Sequence, residues 1–240
     1  MITADALTKT YGGKRVLRGV TFSAQPGEIT LLVGPNGAGK STTLKLLTGL
    51  ARPNAGRALI AGRDIVREKI SAQRQLSFLP QTPNFHPRFT CAHIVDFYGG
   101  LRGVDRSRRA WSLDKAGLSE IAGEQTRTLS GGMRQRLGLA LLLLPDAPVL
   151  LLDEPGISLD PGWRRRLQNI LHEEARCGKT VLVTTHLIAE WNKVAHRCLL
   201  CRDGAIEREL DPADLPADFE EHGNPAVEEA GHVAAETCFA

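Results

Sequence analysis

The residues best placed to do chemistry lie in Gly34-Pro35-Asn36-Gly37-Ala38-Gly39-Lys40-Ser41-Thr42, which fits G-x-x-x-x-G-K-S/T without a mismatch. The apolar run Ile29 to Val33 precedes it and reads as a buried strand. Thr42 to Leu50 reads as the first turns of a helix, with Leu44, Leu47 and Leu50 at helical spacing. Strand, glycine loop and helix together aim backbone N–H groups and a helix N-terminus at an anion. Lys40 adds a point charge for the outer phosphates, and the Ser41 hydroxyl can hold Mg²⁺. The loop implies a nucleoside triphosphate and no more.

A second group sits at Val149-Leu150-Leu151-Leu152-Asp153-Glu154, an apolar run ending in two carboxylates. The run reads as a strand buried on both faces of a parallel sheet. Carboxylates at its end are costly to bury unless they meet a cation or handle a proton. Asp153 is placed to support a Mg²⁺ shell and Glu154 to polarise an attacking water. His186 follows another short strand, Thr180 to Val183, and ligands of such sheets collect at the strand carboxyl ends. His186 can therefore reach a γ-phosphate, stabilise charge and orient water.

Leu129-Ser130-Gly131-Gly132-Met133 opens onto the apolar segment Leu137 to Leu144. A serine and two glycines before a helix offer a hydroxyl and bare N–H groups at a positive dipole end. Taken alone, this is equally a second anion site or an ordinary helix cap.

The ordered set of motifs resembles the ATP-binding cassette (ABC) family, from about Leu7 to about Leu210. LSGGM is similar to that family's signature, ahead of a Walker B strand. The resemblance implies an α/β fold: a P-loop NTPase (RecA-like) core with an antiparallel β subdomain and an inserted α-helical subdomain. It implies that Ser130, Gly131 and Gly132 of one subunit close over ATP held by the other. Gln81 matches the Q-loop glutamine, which contacts Mg²⁺ or the attacking water. Asp160, in Ser158-Leu159-Asp160, resembles the interfacial D-loop and, before Pro161, is equally a helix start. His186 resembles the switch histidine, and Tyr11 the aromatic that stacks on adenine. Gly156-Ile157 departs from the family pattern but removes no chemical group, so an active ATPase is expected.

The expected organisation is an ABC ATPase domain over 1–210, a helical subdomain over about 83–145 and an acidic tail over 211–240, poorly ordered beyond about Asp218. Helix-like runs in the subdomain are Ala92 to Leu101 and Met133 to Leu144. Phe85, Phe89, Phe97 and Tyr98 are expected mostly to pack internally, in a region that in the family receives a membrane subunit. From Glu209 onward there are nine acids and no Lys or Arg, so the first 208 residues carry a net +12. A basic body suits phosphate ligands or an anionic membrane surface. The plainer account is dispersed charge, with Arg106 to Arg109 and Arg164 to Arg166 on exposed helix faces.

No apolar run is long enough to span a bilayer, and no export segment opens the chain. The expectation is a cytoplasmic protein, peripheral at the inner face of the membrane. The five cysteines suggest no disulfides there. His196, Cys198 and Cys201 mimic a metal motif, but Arg197 to Arg202 reads as a strand before an Asp203-Gly204 turn. Its alternation sends the two thiols to opposite faces.

The resulting expectation is the ATP-binding, ATP-hydrolysing subunit of an ABC transporter of exporter-like type. It would pair with a second ATPase subunit as a homodimer and act on a separate membrane permease. A soluble ABC ATPase acting on nucleic acid or ribosomes is the alternative. One cassette without sustained heptads argues against it, so no nucleic acid partner is expected. A nucleotide kinase does not account for LSGGM.

Overall fold

The computed structural model describes residues 1–186 and 188–214. The strands are β1 (Ile2–Tyr11), β2 (Lys14–Ala24), β3 (Ile29–Val33), β4 (Ala55–Ile60), β5 (Arg63–Asp64), β6 (Leu76–Leu79), β7 (Val149–Asp153), β8 (Thr180–Thr184), β9 (Arg197–Arg202) and β10 (Ala205–Leu210). The α-helices are α1 (Lys40–Leu47), α2 (Lys69–Arg74), α3 (Cys91–Arg102), α4 (Arg106–Lys115), α5 (Gly131–Leu143) and α6 (Pro161–Arg176).

Two sheets form. One has the order β2-β1-β4-β5 and is antiparallel. The other has the order β10-β9-β3-β8-β7-β6, parallel throughout except for the β9–β10 hairpin. The central strands of the second sheet are covered on both faces, which explains their continuous Val and Leu content. Alternate residues enter different cores. Leu151 and Leu199 join β1, β2, β4 and α1 in one cluster. Leu150, Leu152 and Leu200 join α5 and α6 in another. Chain crossovers in this sheet leave the ends of β3, β6, β7 and β8 on one edge, because parallel neighbours share a direction.

A third apolar cluster lies outside both. It joins Ile94 and Val95 of α3, Leu113 of α4 and Leu137 and Ala140 of α5. Helix α5 serves two clusters at once. Leu139, Leu142 and Leu143 face the sheet, while Leu137, Ala140 and Leu144 just beyond its end face α3 and α4. Gly138 permits the contact with the sheet, since a Cβ there would fall 2.5 Å from Leu79 Cδ1 of β6.

Several sequence expectations change in detail. Helix α1 starts at Lys40 and ends at Leu47, and Leu50 lies past its end, exposed. Gly49, at φ +70°, terminates the helix. Of the four aromatics expected to pack internally, only Phe85 is half-buried in the third cluster; Phe89, Phe97 and Tyr98 are exposed. Phe89 precedes α3, and Phe97 lies off the buried stripe of Cys91, Ile94 and Val95; Tyr98, one turn beyond Ile94, continues that stripe but borders an open groove with Pro83 and Phe85. Arg108, Arg109 and Arg164 are not free surface charges. Arg108 pairs with Asp146 at 2.9 Å and stacks 4.0 Å over Trp111. Arg109 donates to the Val104 carbonyl oxygen, and Arg164 pairs with Glu190 at 3.2 Å. The expectation for the chain beyond Asp218 lies outside the described residues.

The β9–β10 hairpin turns at Asp203-Gly204. Cys198 enters the cluster under α6 and Cys201 the cluster over β1, as strand alternation requires. Among the described residues no group of three or more His, Cys, Asp or Glu side chains could hold a metal ion. Burial pushes the Cys198 thiol up to about 12 and the Cys201 thiol to about 11. Burial also raises Cys91, whereas Cys177 is exposed. Thiolate is the reactive form. Brief treatment of the folded chain with iodoacetamide at pH 8, read by peptide mapping, should therefore label Cys177 and spare Cys91, Cys198 and Cys201.

Candidate active site

Gly34 to Gly39 leaves the end of β3 and folds back over the N-terminus of α1. Its shape depends on close backbone approach. Gly34 has φ +146°, and a Cβ there would land on the Cys201 carbonyl oxygen. Gly39 has φ +102°, and a Cβ there would land on the Leu17 side chain. Both positions exclude L side chains on conformation and on space. Gly37, at φ +83°, has open space where a side chain would project. The loop is backed by the β9–β10 turn: Gly204 N–H donates to the Ala38 carbonyl oxygen at 3.2 Å, and Cys201 Sγ donates to it at 3.0 Å. Pro35 is half-buried, while Asn36 is exposed.

Lys40 is only 7% exposed. Its Nζ donates to the carbonyl oxygens of Gly34 (2.7 Å) and Pro35 (3.2 Å), which anchors the ammonium within the loop. A phosphate oxygen is a stronger acceptor than a carbonyl oxygen, so the same ammonium is suited to a phosphate. The next residue leads to the carboxylates. Ser41 Oγ donates to Asp153 Oδ1 at 3.1 Å. Thr42, on the following position of α1, is half-buried.

Asp153 and Glu154 are each 6% exposed at the end of β7. Both carboxylates are satisfied. Asp153 Oδ1 also accepts from Thr184 Oγ1 at 2.7 Å. Glu154 Oε2 lies 2.9 Å from His186 Nδ1 and accepts from the His186 backbone N–H at 3.3 Å. Glu154 sits at φ +47°, in the left-handed region that a non-glycine residue enters only when its surroundings hold it there. Its N–H is fixed by the Thr184 carbonyl oxygen (3.1 Å) and by Thr184 Oγ1 (3.0 Å). Phosphate loop, acidic strand end and histidine thus converge, although Ser41 and Asp153 stand 112 residues apart in the chain.

The oxygen-only set of Ser41 hydroxyl and buried Asp153 carboxylate fits a hard divalent cation such as Mg²⁺, which takes oxygen ligands. Gln81 is different. It is exposed in the loop after β6 and, among the described contacts, makes no hydrogen bond to the others. Tyr11 ends β1 in the β1–β2 hairpin, 45% exposed, with Lys9 Nζ 4.9 Å from its ring centre.

A second group forms around the start of α5. Ser130 caps that helix by accepting from Met133 N–H at 3.2 Å. Asp160 caps α6 by accepting from Trp163 N–H at 3.0 Å. The nearest neighbours of Gly131 and Gly132 are Ser158 and Leu159, and a Cβ on Gly132 would sit 2.8 Å from the Ser158 carbonyl oxygen. The two motif loops are therefore packed together, with Ser130, Gly131 and Asp160 facing solvent. Arg136 of α5 stacks 4.0 Å over Trp163 of α6 and fixes the two helices further.

Two residues in this region carry no assignment from sequence. Thr184 ties Asp153 to Glu154; its only signal is a polar residue closing a Val-Leu-Val strand. Gln135 is buried on α5, and its Nε2 donates to the Pro155 carbonyl oxygen at 3.2 Å. A glutamine in a polar helix start gives no sequence signal of that contact.

The ABC transporter family matches residues 17–156, more than half of the chain. This chain belongs to that family. Its curated relatives include the Nod factor export ATP-binding protein I of Paraburkholderia xenovorans, 38% identical over 90% of this chain and 72% of that protein. They also include the linearmycin resistance ATP-binding protein LnrL of Bacillus subtilis, 32% identical over 79% of this chain and 62% of that protein. Among solved structures, a dimeric ATP-binding cassette in a post-hydrolysis state with ADP and Pi superposes at TM-score 0.82. It shares 29% identity and covers 88% of this chain and 99% of that one. The chain is thus an ABC ATPase with the P-loop NTPase fold. Among the described residues no helix is long and apolar enough to cross a membrane.

Replacing Lys40 by Ala removes the one cation anchored inside the ABC phosphate loop. Equilibrium titration should show ATP binding abolished, with the thermal unfolding temperature little changed. Wild-type affinity would contradict the role given to this loop.

Proposed function

We propose that this chain is the ATP-hydrolysing subunit of an ABC exporter, working as one of a pair on a separate membrane permease. Export is the activity named for the Nod factor relatives, and resistance to linearmycin for the Bacillus relative. The contact that carries the catalytic reading is Ser41 to Asp153 at 3.1 Å, because it joins the phosphate loop to the acidic strand end. The organisation we propose is an ABC ATPase unit over 1–210, with its helical subdomain at about 83–145, followed by an acidic tail over 211–240. The separate apolar cluster of α3, α4 and α5 supports the subdomain.

In this reading Gly34, Pro35, Asn36, Gly37, Ala38, Gly39 and Thr42 wrap the phosphates with backbone N–H groups, and Lys40 contacts the outer two. Ser41, Asp153 and Gln81 hold Mg²⁺, which neutralises phosphate charge when bound. Tyr11 stacks on the adenine. Glu154 accepts a hydrogen bond from the attacking water. One of its oxygens is already held by His186, which leaves the other for water. The water oxygen bonds to the γ-phosphorus as the bond to the bridging oxygen breaks, and the water proton passes to the free Glu154 oxygen, giving ADP and phosphate. His186 faces the γ-phosphate and keeps Glu154 in place through its backbone N–H and Nδ1.

The second subunit contributes Ser130, Gly131, Gly132 and Asp160 to the opposite face of the nucleotide. The solvent exposure of Ser130, Gly131 and Asp160 supports this, as does the dimeric form of the solved cassette. Contacts made only in the closed pair give ATP the preference for closure that a switch needs, about 5.5 kcal/mol to move a population from 1:99 to 99:1. The exposed Phe97, Tyr98 and Leu101 of α3 suit an apolar segment of the permease. The place of action is then the cytoplasmic face of the membrane.

The substitution Glu154→Gln keeps the shape of the site and removes the carboxylate. Phosphate release should fall at least about 100-fold, the range assigned to a positioned proton acceptor. ATP should remain bound, and sedimentation should show paired subunits. Unimpaired hydrolysis would remove Glu154 from its assigned role.

A further inference from the structure

We propose that Thr184 is a positioning residue for hydrolysis, a hydroxyl bridge that locks Asp153 and Glu154 in one arrangement. The inference rests on the ATPase reading of this site and adds a residue to it. Strand register supplies the starting point. In the parallel pairing of β7 and β8, Asp153 stands opposite Thr184, so both side chains leave the same face of the sheet. Thr184 is fully buried between them and the core.

The direction of the two hydrogen bonds is fixed by chemistry. The Glu154 backbone N–H can only donate, and it donates to Thr184 Oγ1 at 3.0 Å. The Thr184 hydroxyl has a single proton, and it donates that proton to Asp153 Oδ1 at 2.7 Å. The hydroxyl is therefore held in one orientation. Asp153 Oδ1 accepts from Ser41 at the same time, so its carboxylate is held by two donors from different elements. On the other side, the bond to Glu154 N–H helps hold that residue at φ +47°. Thr184 touches no reacting atom; it acts through its two acidic neighbours.

Valine has the same branched shape without the hydroxyl, so Thr184→Val isolates the bridge. The Glu154 N–H keeps the Thr184 backbone carbonyl at 3.1 Å, and the strand is already rich in Val and Leu. The fold should therefore survive. Second-layer partners of this type typically change activity about 10- to 100-fold.

The test uses the full chain, with phosphate release for kcat and KM, and equilibrium titration with ATP in EDTA for nucleotide affinity. Thermal unfolding is measured on each variant. Thr184→Val should lower kcat about 10- to 100-fold while KM and ATP affinity stay near wild type. Thr184→Ser, which keeps the hydroxyl, should recover most of the rate. Wild-type kcat in Thr184→Val would overturn the assignment. Equal losses in the Ser and Val variants would overturn it too, since they would trace to lost packing. If wild type itself releases no phosphate, the ATPase reading fails first; an active wild type beside an unimpaired Thr184→Val sinks only the bridge.

Discussion

Two carboxylates are buried at the end of an apolar strand, and the surrounding structure is arranged to make that tolerable. Asp153 and Glu154 are almost sealed from solvent. Unpaired, such groups would cost several kcal/mol each, on the order of the penalty for a desolvated ion. Each is met instead by donors from elsewhere in the chain: Ser41 from α1, Thr184 from β8 and His186 just beyond it. Those donors arrive because β3, β7 and β8 run parallel and end on one edge. The constraint that supplies donors to the acids also gathers the groups a phosphate site requires.

Helix α5 extends that constraint to the rest of the molecule. One side packs on the sheet and the other on α3 and α4, so the helical arm cannot move without disturbing the core beneath the acids. Its first turn carries Ser130, Gly131 and Gly132, and its Gln135 reaches the Pro155 carbonyl oxygen directly after Glu154. Gly132 leaves room for Ser158, and Arg136 stacks on Trp163. The motif loop at the start of α5 and the loop leading into α6 thus behave as one packed unit. A ligand that pulls on one strains the other.

The phosphate loop is shaped from behind. Gly34 and Gly39 are needed because the β9–β10 hairpin and Leu17 press on the loop. Nothing adjacent in sequence explains those two glycines. The motif pattern names them, and the tertiary contacts give the reason. The same hairpin carries Cys198 and Cys201, whose separation onto opposite faces followed from strand alternation alone.

Local pattern determined the strands around the site. The apolar runs at Ile29, Leu76, Val149 and Thr180 are strands, because a sheet covered on both faces writes continuous Val and Leu into the chain. Caps were legible for the same reason: Ser130 and Asp160 satisfy backbone N–H groups three residues on, a purely local interaction. The fate of side chains on long helices was not legible. Phe97 and Tyr98 carry the same apolar signal as Ile94 and Val95, and Tyr98 shares their face, yet only the placement of α4 and α5 decides how far along α3 that face is covered. Arg108 of α4 finds partners at Asp146 and Trp111, set by packing across the arm. Thr184 shows the same limit at the site. Sequence places a threonine at a strand end, but only the β7–β8 register sets it opposite Asp153, because hydrogen-bond partners between strands are fixed by pairing and not by distance along the chain.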